Sequence, residues 1–349
     1  MTRVGINGLG RIGRLLARRI TEREDARAAL TLAAANELAD AETVAHLLKY
    51  DSTHGRFSSS VDVSDGAIHI AGKAISLTHE AVFGHDVWVK RNVELVIDCT
   101  GEELDRASAA QHLGGSVERV LLSQPASADV DATIIWGLNQ HTLTSDMAIV
   151  SAGSCTSNAL MPILSIVDEA LGINAGVITT IHSAMNDQPV IDAYHHTDLR
   201  KTRAAFNSVI PVETGLAQGV ERFLPHLAHK IQARALRVPT LNVSSLDVVL
   251  AVDCDTTPEA VNEMIREASP SFSGVLAIND EPLASCDFLG MDASCVVDAT
   301  QTQVSAGRLI KLMIWFDNEW AFANRMVDIG IAMSHFGDEK ASAQQTSTN

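Results

Sequence analysis

The sequence predicts two domains of different class, a doubly wound parallel sheet of the α/β class followed by an α+β domain on a mixed or antiparallel sheet. The chain has 349 residues, which is more than one ordinary hydrophobic core accommodates. Up to residue 150, short apolar strands alternate with helical patterns, as in parallel βαβ units. From residue 176 onward, β-rich segments follow one another with one helix between them, which is typical of an α+β domain.

Composition and charge narrow the class of protein. Apolar residues make up 46% of the chain and charged residues 20%, as in a globular protein. The formal net charge of −17 disfavours nucleic acid and anionic membranes as partners. The 5 cysteines are widely spaced and odd in number, so they form no disulfide or metal-ligand framework. Because there is no signal-peptide core and no run of about 18 apolar residues, we expect a soluble cytoplasmic protein.

A glycine fingerprint follows the first strand. Residues 4–7 form a short apolar strand, and Gly8, Gly10 and Gly13 come next in the spacing G-x-G-x-x-G. In such a turn the first glycine bends the chain, the second lets the backbone approach a pyrophosphate, and the third lets helix and strand pack closely. The following helix has an apolar face made of Ile12, Leu15, Leu16 and Ile20. These features predict a Rossmann-type dinucleotide-binding domain.

The second strand ends beside an acidic residue. Residues 30–35 are mostly apolar and lead into Asn36 and Glu37. A carboxylate at this place accepts hydrogen bonds from the adenosine ribose and repels a 2′-phosphate, so we expect NAD rather than NADP. The alternative interpretation is a surface glutamate at a strand end.

The remaining elements up to residue 150 continue the alternation. The pattern predicts a helix at 41–48 and a small antiparallel insertion at 61–63, 67–70 and 75–77. It predicts further buried strands at 95–99, 120–123, 132–137 and 148–150. A parallel sheet of this kind holds its cofactor at the carboxyl ends of the strands.

Cys155 stands where a strand gives way to a helix. Small residues follow the strand at 148–150, and a helical pattern then runs through Ile163, Ile166, Val167 and Leu171. The unpaired N–H groups and the macrodipole at a helix N-terminus favour an anion. We therefore expect a lowered pKa for the Cys155 thiol and a nucleophilic thiolate. A small buried apolar residue is the alternative, since most free cysteines are of that kind.

The second half of the chain combines strands with one long polar segment. A strand at 176–182 ends in His182, and the residues at 183–207 show little periodicity, which is uncommon in a loop without function. The other predicted elements are strands at 231–238, 244–252, 293–298 and 309–316 and helices at 258–268 and 321–336. We expect the polar tail at 337–349 to be disordered.

Several segments together resemble the glyceraldehyde-3-phosphate dehydrogenase superfamily. They lie at 8–13, 49–55, 154–158, 237–240 and 315–320. The resemblance runs in order from about residue 3 to residue 336. Within the superfamily, the branch of D-erythrose-4-phosphate dehydrogenases is suggested by 36–40, 182–188, 190–195 and 210–212.

The resemblance also implies a domain organisation. It places an NAD-binding domain at 1–154 and 319–336 and a catalytic domain at 155–318. It further implies a homotetramer, in which the segment at 183–207 reaches a neighbouring subunit.

The same resemblance implies a reaction. Cys155 would attack an aldehyde to give a thiohemiacetal, and hydride transfer to NAD would leave a thioester. His182 would keep Cys155 as a thiolate and take the hydroxyl proton; a buried core histidine is the alternative. The implied activity is oxidation of D-erythrose 4-phosphate, a small sugar-phosphate aldehyde, to 4-phospho-D-erythronate, a step that feeds pyridoxal 5′-phosphate synthesis. The alternatives are a phosphorylating glyceraldehyde-3-phosphate dehydrogenase and a non-catalytic NAD-binding sensor.

Two further sets of residues are carried over from the family by position. The implied cofactor residues are Gly8, Gly10, Arg11, Ile12, Gly13, Glu37, Thr100, Ser123 and Asn318. The implied residues for the substrate phosphate are Ser154, Thr156, Lys201, Thr214, Gly215 and Arg237. A phosphate dianion needs several donors and at least one fixed charge, although Arg237 could instead form a structural ion pair.

Three of the departures from the family pattern concern binding of phosphate or the cofactor. Lys201 stands where arginine is usual, so the charge is kept but the bidentate fork is lost. Met185 stands where glycolytic members have a phosphate-binding threonine, and a thioether cannot donate a hydrogen bond. Ala81 replaces an arginine that often contacts the cofactor. The methionine weakens one anion subsite and favours hydrolysis of the thioester over phosphorolysis.

Overall fold

The computed structural model describes residues 1–64, 66–82, 84–102, 105–195 and 198–346. The chain forms two units, residues 1–154 with 322–349 and residues 155–321. Within the described ranges, each helix is too short or too polar to cross a membrane.

The sheet of the first unit is parallel at its centre. Its strands follow the order β10-β11-β9-β8-β1-β2-β7-β6-β5. The chain passes from β1 to β2 on one side and returns to β8 on the other side of β1, and all of these pairs are parallel. This reversal confirms the doubly wound sheet and creates a crevice at the carboxyl ends of β1 and β8. The strands of this unit are β1 Thr2–Asn7, β2 Leu30–Asn36, β3 Tyr50–Asp51, β4 Gly55–Arg56, β5 Val61–Ser64, β6 Ala67–Ile70, β7 Lys73–Thr78, β8 Leu95–Asp98, β9 Arg119–Leu122, β10 Ala132–Thr133 and β11 Ile149–Ser151.

Helices of the first unit begin where the sequence provides a start signal. The glycine turn leads directly into the first helix, which buries Leu15, Leu16 and Ile20. Asp40 caps the helix of residues 41–49 by accepting a hydrogen bond of 2.8 Å from Thr43 N. The predicted insertion is present, because β5 pairs with β6 and β6 with β7 in antiparallel fashion. The helices are α1 Arg11–Glu22, α2 Glu24–Ala29, α3 Ala41–Lys49, α4 Asp86–Val89 and α5 Arg106–Ala109.

The second unit has the predicted mixed sheet. Its order is β13-β14-β12-β15-β19-β17-β16, with β18 paired to β19. The pairs β12/β14 and β16/β17 are parallel and the others are antiparallel. The elements are α6 Cys155–Leu171, β12 Ile173–His182, β13 Ile210–Val212, α7 Leu216–Phe223, β14 Ile231–Arg237, β15 Ser244–Val252, α8 Pro258–Ala268, β16 Leu276–Asn279, β17 Cys295–Asp298, β18 Gln303–Ser305 and β19 Leu309–Phe316. Pairing of β12 with β14 aligns His182 with Arg237, so both side chains reach the same end of the sheet.

The last helix, α9, is longer than the sequence predicts. It spans Trp320–Thr346, whereas the pattern predicts an end at 336 and a disordered tail beyond it. Glu339, Lys340 and Ala341 are strong helix formers, and no proline follows them. These preferences are compatible with helix through 337–346, and the expected disorder of the tail stays a prediction. Residues 347–349 lie outside the described residues.

Candidate active site

The three glycines of the fingerprint differ in what surrounds them. Gly8 has φ +86, and a Cβ there would lie 2.9 Å from the Cys99 carbonyl oxygen. A Cβ at Gly13 would lie 2.0 Å from the Gly8 carbonyl oxygen. A Cβ at Gly10 would meet nothing within 4 Å. The first and third glycines therefore allow the turn and the packing, and the second leaves the open space that a pyrophosphate requires.

The N-terminus of α1 suits an anion as well. Its first turn contains no acidic residue, and Gly10 at the N-cap provides no side chain to bond the first N–H groups. The guanidinium of Arg11 is paired with Asp51. Burial alone would raise the pKa of Asp51, but Arg11 and the N–H groups of Thr53 and His54 hold it at about 2. The fingerprint region therefore fits a dinucleotide, with Ile12 in the first turn of the helix.

Glu37 is fixed against the glycine turn. Its Oε2 accepts a hydrogen bond of 2.8 Å from Leu9 N, and its Oε1 accepts one of 2.8 Å from Leu38 N. The carboxylate therefore lies at the carboxyl end of β2 with a defined orientation, as a ribose acceptor must.

A buried network stands behind Thr100, and the sequence analysis did not find it. Asp98 is fully buried, and its Oδ1 accepts hydrogen bonds from Thr100 N (3.1 Å) and Thr100 Oγ1 (2.7 Å). Its Oδ2 lies 2.7 Å from Asn7 Nδ2 and 3.3 Å from His112 Nε2. Burial would raise the pKa of Asp98, but these donors keep it below the usual value. The available signal was an acidic residue at the end of an apolar strand.

Ser123 lies just after β9. Its N–H donates to the Asp98 carbonyl oxygen at 3.0 Å, and its Oγ donates to Gln124 Oε1 at 2.9 Å. Thr100 and Ser123 are therefore both hydrogen-bonded to Asp98, at the carboxyl ends of β8 and β9.

In the second unit, Cys155 and His182 come together. Cys155 is the first residue of α6 and His182 the last of β12, and the distance between Sγ and Nε2 is 3.7 Å. His182 is buried, and Phe316 contacts its ring edge-on at 6.4 Å between centroids.

The hydrogen bonds of His182 define its tautomer. Nδ1 lies 2.8 Å from the Ser183 carbonyl oxygen, and a carbonyl can only accept, so Nδ1 carries the hydrogen. The lone pair of Nε2 then faces the sulfur of Cys155. Burial and the positive charge of Arg237, whose Nη1 lies 3.3 Å from Nδ1, lower the pKa of His182 to about 4. At neutral pH the ring is therefore neutral and able to accept a proton at Nε2.

The pKa of Cys155 departs from the sequence expectation. Burial raises it, and neither the hydrogen bond from Thr156 nor the charge of Arg237 reverses this. The prediction of a lowered pKa for Cys155 is therefore wrong. Burial destabilises the thiolate more than Thr156 and Arg237 stabilise it. The resting pair is a thiol beside a neutral imidazole.

Two cationic residues implied for the substrate phosphate, Arg237 and Lys201, differ in their contacts. Arg237 ends β14 beside His182. Lys201 is bound to Asp187, with 2.8 Å between Nζ and Oδ2. Burial would raise the pKa of Asp187, but Lys201 and Arg237 hold it below the usual value. The sequence analysis did not assign Asp187 to the site, and this carboxylate neutralises the cation that was predicted to bind phosphate.

Other implied phosphate residues lie at two helix N-termini. Ser154 precedes α6, and Thr156 Oγ1 lies 3.9 Å from Cys155 Sγ. Thr214 and Gly215 precede α7, and Thr214 Oγ1 accepts a hydrogen bond of 3.3 Å from Leu216 N. A Cβ at Gly219 of α7 would lie 3.7 Å from Ser157 Oγ of α6, so the beginnings of the two helices lie side by side. The sequence analysis missed α7, since it is short and buries only Leu216 and Val220.

Comparison with protein families agrees with both units. Residues 2–106 match the family described as glyceraldehyde 3-phosphate dehydrogenase, NAD binding domain. Residues 154–318 match the family described as glyceraldehyde 3-phosphate dehydrogenase, C-terminal domain. Together the two matches cover most of the chain. The protein therefore belongs to the glyceraldehyde-3-phosphate dehydrogenase family and is an NAD-dependent dehydrogenase.

Proposed function

We propose that the protein oxidises D-erythrose 4-phosphate to 4-phospho-D-erythronate, with Cys155 as nucleophile and His182 as general base. The observation that carries the proposal is the distance of 3.7 Å between Cys155 Sγ and the unprotonated Nε2 of His182. A base within reach of a nucleophile, with its tautomer fixed by a third group, is the arrangement that covalent catalysis requires. A protein that only bound NAD would need neither side chain.

Because the resting pair is neutral, the first proton transfer accompanies attack. Nε2 of His182 takes the thiol proton while the sulfur bonds to the aldehyde carbon, and the imidazolium returns the proton to the new alkoxide. The product of this step is a thiohemiacetal on Cys155. His182 therefore acts as a base during attack, instead of keeping a thiolate beforehand as the resemblance implies.

Oxidation and release follow at the same two side chains. Nε2 takes the hydroxyl proton of the thiohemiacetal while the carbon loses hydride, which leaves a thioester. Bound NAD supplies the hydride acceptor, and the residues that fit it are Gly8, Gly10, Gly13 and Glu37 together with Thr100. Water then adds to the thioester carbonyl and loses one proton to solvent, and the carbon–sulfur bond breaks. The sulfur takes the proton that His182 holds, and the carboxylic acid product gives its proton to solvent.

Two features favour water over inorganic phosphate as the acceptor. Met185 is 46% exposed and presents a thioether that cannot donate to an oxyanion. Lys201 is already paired with Asp187, so a second anion must compete with a carboxylate for it. The phosphate of the substrate itself would still be bound by Arg237, Thr156 and Ser154. The N-terminus of α7, with Thr214 and Gly215, would bind it as well. One well-equipped anion subsite suits a phosphorylated aldehyde that is hydrolysed after oxidation.

A steady-state comparison tests this assignment. D-Erythrose 4-phosphate and D-glyceraldehyde 3-phosphate are each assayed with and without inorganic phosphate. We expect the higher kcat/KM for erythrose 4-phosphate, and no requirement for phosphate. Faster turnover of glyceraldehyde 3-phosphate with a strict phosphate requirement would instead establish the phosphorylating dehydrogenase.

We also propose a homotetramer. Supporting this are exposed apolar side chains in the segment at 183–207, with Val190 73% exposed, Ile191 77% and Tyr194 88%. Side chains of this kind are usually covered by another protein surface. Analytical ultracentrifugation tests the proposal, and a monomer at micromolar concentration would contradict it.

A further inference from the structure

A chain of hydrogen-bonded side chains crosses the carboxyl ends of four strands in the first unit. β8, β1, β2 and β7 are neighbours in the sheet and run parallel to one another. Their last residues are Asp98, Asn7, Asn36 and Thr78. Asp98 Oδ2 accepts a hydrogen bond of 2.7 Å from Asn7 Nδ2, and Asn7 Oδ1 accepts one of 2.9 Å from Asn36 Nδ2. Asn36 Oδ1 accepts one of 2.9 Å from Thr78 Oγ1. The chain therefore joins the strand ends that border the crevice of the doubly wound sheet.

The backbone of Glu80 fixes the direction of this chain. Glu80 N donates to Asn36 Oδ1, and the Glu80 carbonyl oxygen accepts from Asn36 Nδ2, both at 2.9 Å. The Asn36 amide therefore has one orientation, and its second amino hydrogen goes to Asn7 Oδ1. With its oxygen occupied in this way, Asn7 points its amino group at Asp98. Hydrogen-bond donation thus runs from β2 through β1 to the carboxylate of Asp98.

A second branch reaches Asp98 through His112. Trp88 Nε1 lies 3.0 Å from His112 Nδ1, and an indole nitrogen can only donate, so Nδ1 accepts and Nε2 carries the hydrogen. Nε2 lies 3.3 Å from Asp98 Oδ2 and donates to it. Trp88, His112 and Asp98 are all inaccessible to solvent. The two branches therefore meet at Oδ2 of one buried carboxylate.

The other oxygen of Asp98 holds the chain where it leaves β8. Oδ1 accepts hydrogen bonds from Thr100 N and Thr100 Oγ1, so both oxygens of the carboxylate are occupied by donors. The carboxylate cannot rotate without losing hydrogen bonds in a buried place, where an unmade hydrogen bond is costly. If the donor of His112 is removed, Asp98 can turn, and Thr100 must move with it.

We infer that Asp98 and His112 are positioning residues for NAD, which fix the carboxyl ends of β1 and β8 in the arrangement that the dinucleotide binds. The hydrogen bond from His112 Nε2 is the part of this arrangement that can be removed without changing a strand end. The inference rests on NAD as the cofactor of the first unit. It does not depend on which aldehyde is the substrate.

The test separates the two nitrogen atoms of His112. Glutamine places its amide near the position of Nε2 and can donate to Asp98, whereas asparagine places its amide near the position of Nδ1 and can only accept from Trp88. NAD affinity is measured by calorimetry in the full-length wild type and in His112→Gln, His112→Asn and His112→Leu. We expect binding to weaken by about 5- to 10-fold in the asparagine and leucine variants, which is the value of one hydrogen bond. The glutamine variant should stay within about twofold of the wild type.

Thr133→Val is a matched control. Thr133 is buried in β10 of the same unit, but its hydroxyl has no hydrogen-bond partner among the described residues, so NAD affinity should not change. A purely structural role of His112 would lower the melting temperature of the glutamine and asparagine variants without separating their NAD affinities. An affinity of the glutamine variant no higher than that of the asparagine variant therefore overturns the inference, whether or not the leucine variant folds. Because no aldehyde is present, failure of the substrate assignment cannot produce this result.

Discussion

The N-termini of α1 and α6 both follow strands, but they differ in whether a negative charge is favoured there. At α1 the turn residue Gly10 borders open space, so the N-terminus of the helix is open to an anionic group of a ligand. At α6 the group in the same place is the sulfur of Cys155, and burial raises its pKa. A helix dipole contributes only about 0.3–1 kcal/mol at most sites, which is less than the cost of removing a thiolate from water. A helix N-terminus is therefore open to an anion of a ligand at α1 and carries a neutral thiol at α6.

Replacing the sulfur of Cys155 should give the largest effect, and it should affect the chemistry at α6 without affecting NAD binding at α1. We expect Cys155→Ser to abolish aldehyde oxidation, because an alcohol beside a neutral imidazole is a far weaker nucleophile than a thiol. NAD affinity should stay within about twofold of the wild-type value, since the glycine turn is unchanged. Stopped-flow formation of NADH and calorimetric NAD binding measure the two quantities. Cys254→Ser, at an exposed thiol, is the control; residual oxidation by Cys155→Ser near the wild-type rate would exclude the sulfur as nucleophile.

Removing the imidazole should give the next largest effect. His182→Asn takes away the proton acceptor at 3.7 Å, so acylation should slow by roughly 10²–10⁴. Single-turnover NADH formation reports this step. His229→Asn makes the same substitution in the same unit at an exposed residue with φ +62, which asparagine tolerates well. A loss below about tenfold for His182→Asn would remove this residue from the proposed proton transfers.

Much of the glycine turn before α1 could be predicted from sequence, because the residues that determine it are close together in the chain. Gly8, Gly10 and Gly13 lie within one turn, and the steric need for each follows from its neighbours in the chain. The pairing of Cys155 with His182 was accessible only through a family resemblance, because 27 positions separate two residues of different elements.

The electrostatic properties of the site around Cys155 could not be predicted from the sequence. The pKa of Cys155 depends on how completely the surrounding elements exclude water, and Asp187 neutralises Lys201 across 14 positions of irregular chain. Ser244 and Ser183, which donate hydrogen bonds to Asn318 Oδ1, lie 74 and 135 positions away from it. No local pattern marks contacts of this range.

The pH dependence of thiol alkylation tests the comparison of the two helix N-termini directly. With its pKa above the value of an ordinary thiol, Cys155 should gain thiolate, and therefore alkylation rate, by about tenfold per pH unit from neutral pH upward. Exposed Cys254 and Cys286 provide references on the same chain, and peptide mapping by mass spectrometry separates the rates. We expect Cys155 to lag behind both references at pH 8. A rate for Cys155 that is already at its plateau at pH 7 would mean that a thiolate is present and that the dipole outweighs burial.

Removing the charge of Glu37, beside the glycine turn, should give the smallest effect. Glu37→Ser removes the carboxylate that accepts from Leu9 N, so NAD should bind more weakly and NADP should no longer be repelled. The ratio of the two affinities should shift by about tenfold toward NADP, equivalent to one lost hydrogen bond and one relieved repulsion in water-accessible surroundings. Glu42→Ser removes the same charge from an exposed residue of α3 and isolates the general electrostatic part of the change. If both substitutions shift the ratio equally, selectivity arises from the overall field of the acidic protein. A shift confined to Glu37→Ser, and reduced by salt, would locate the selectivity in the charge of this one carboxylate.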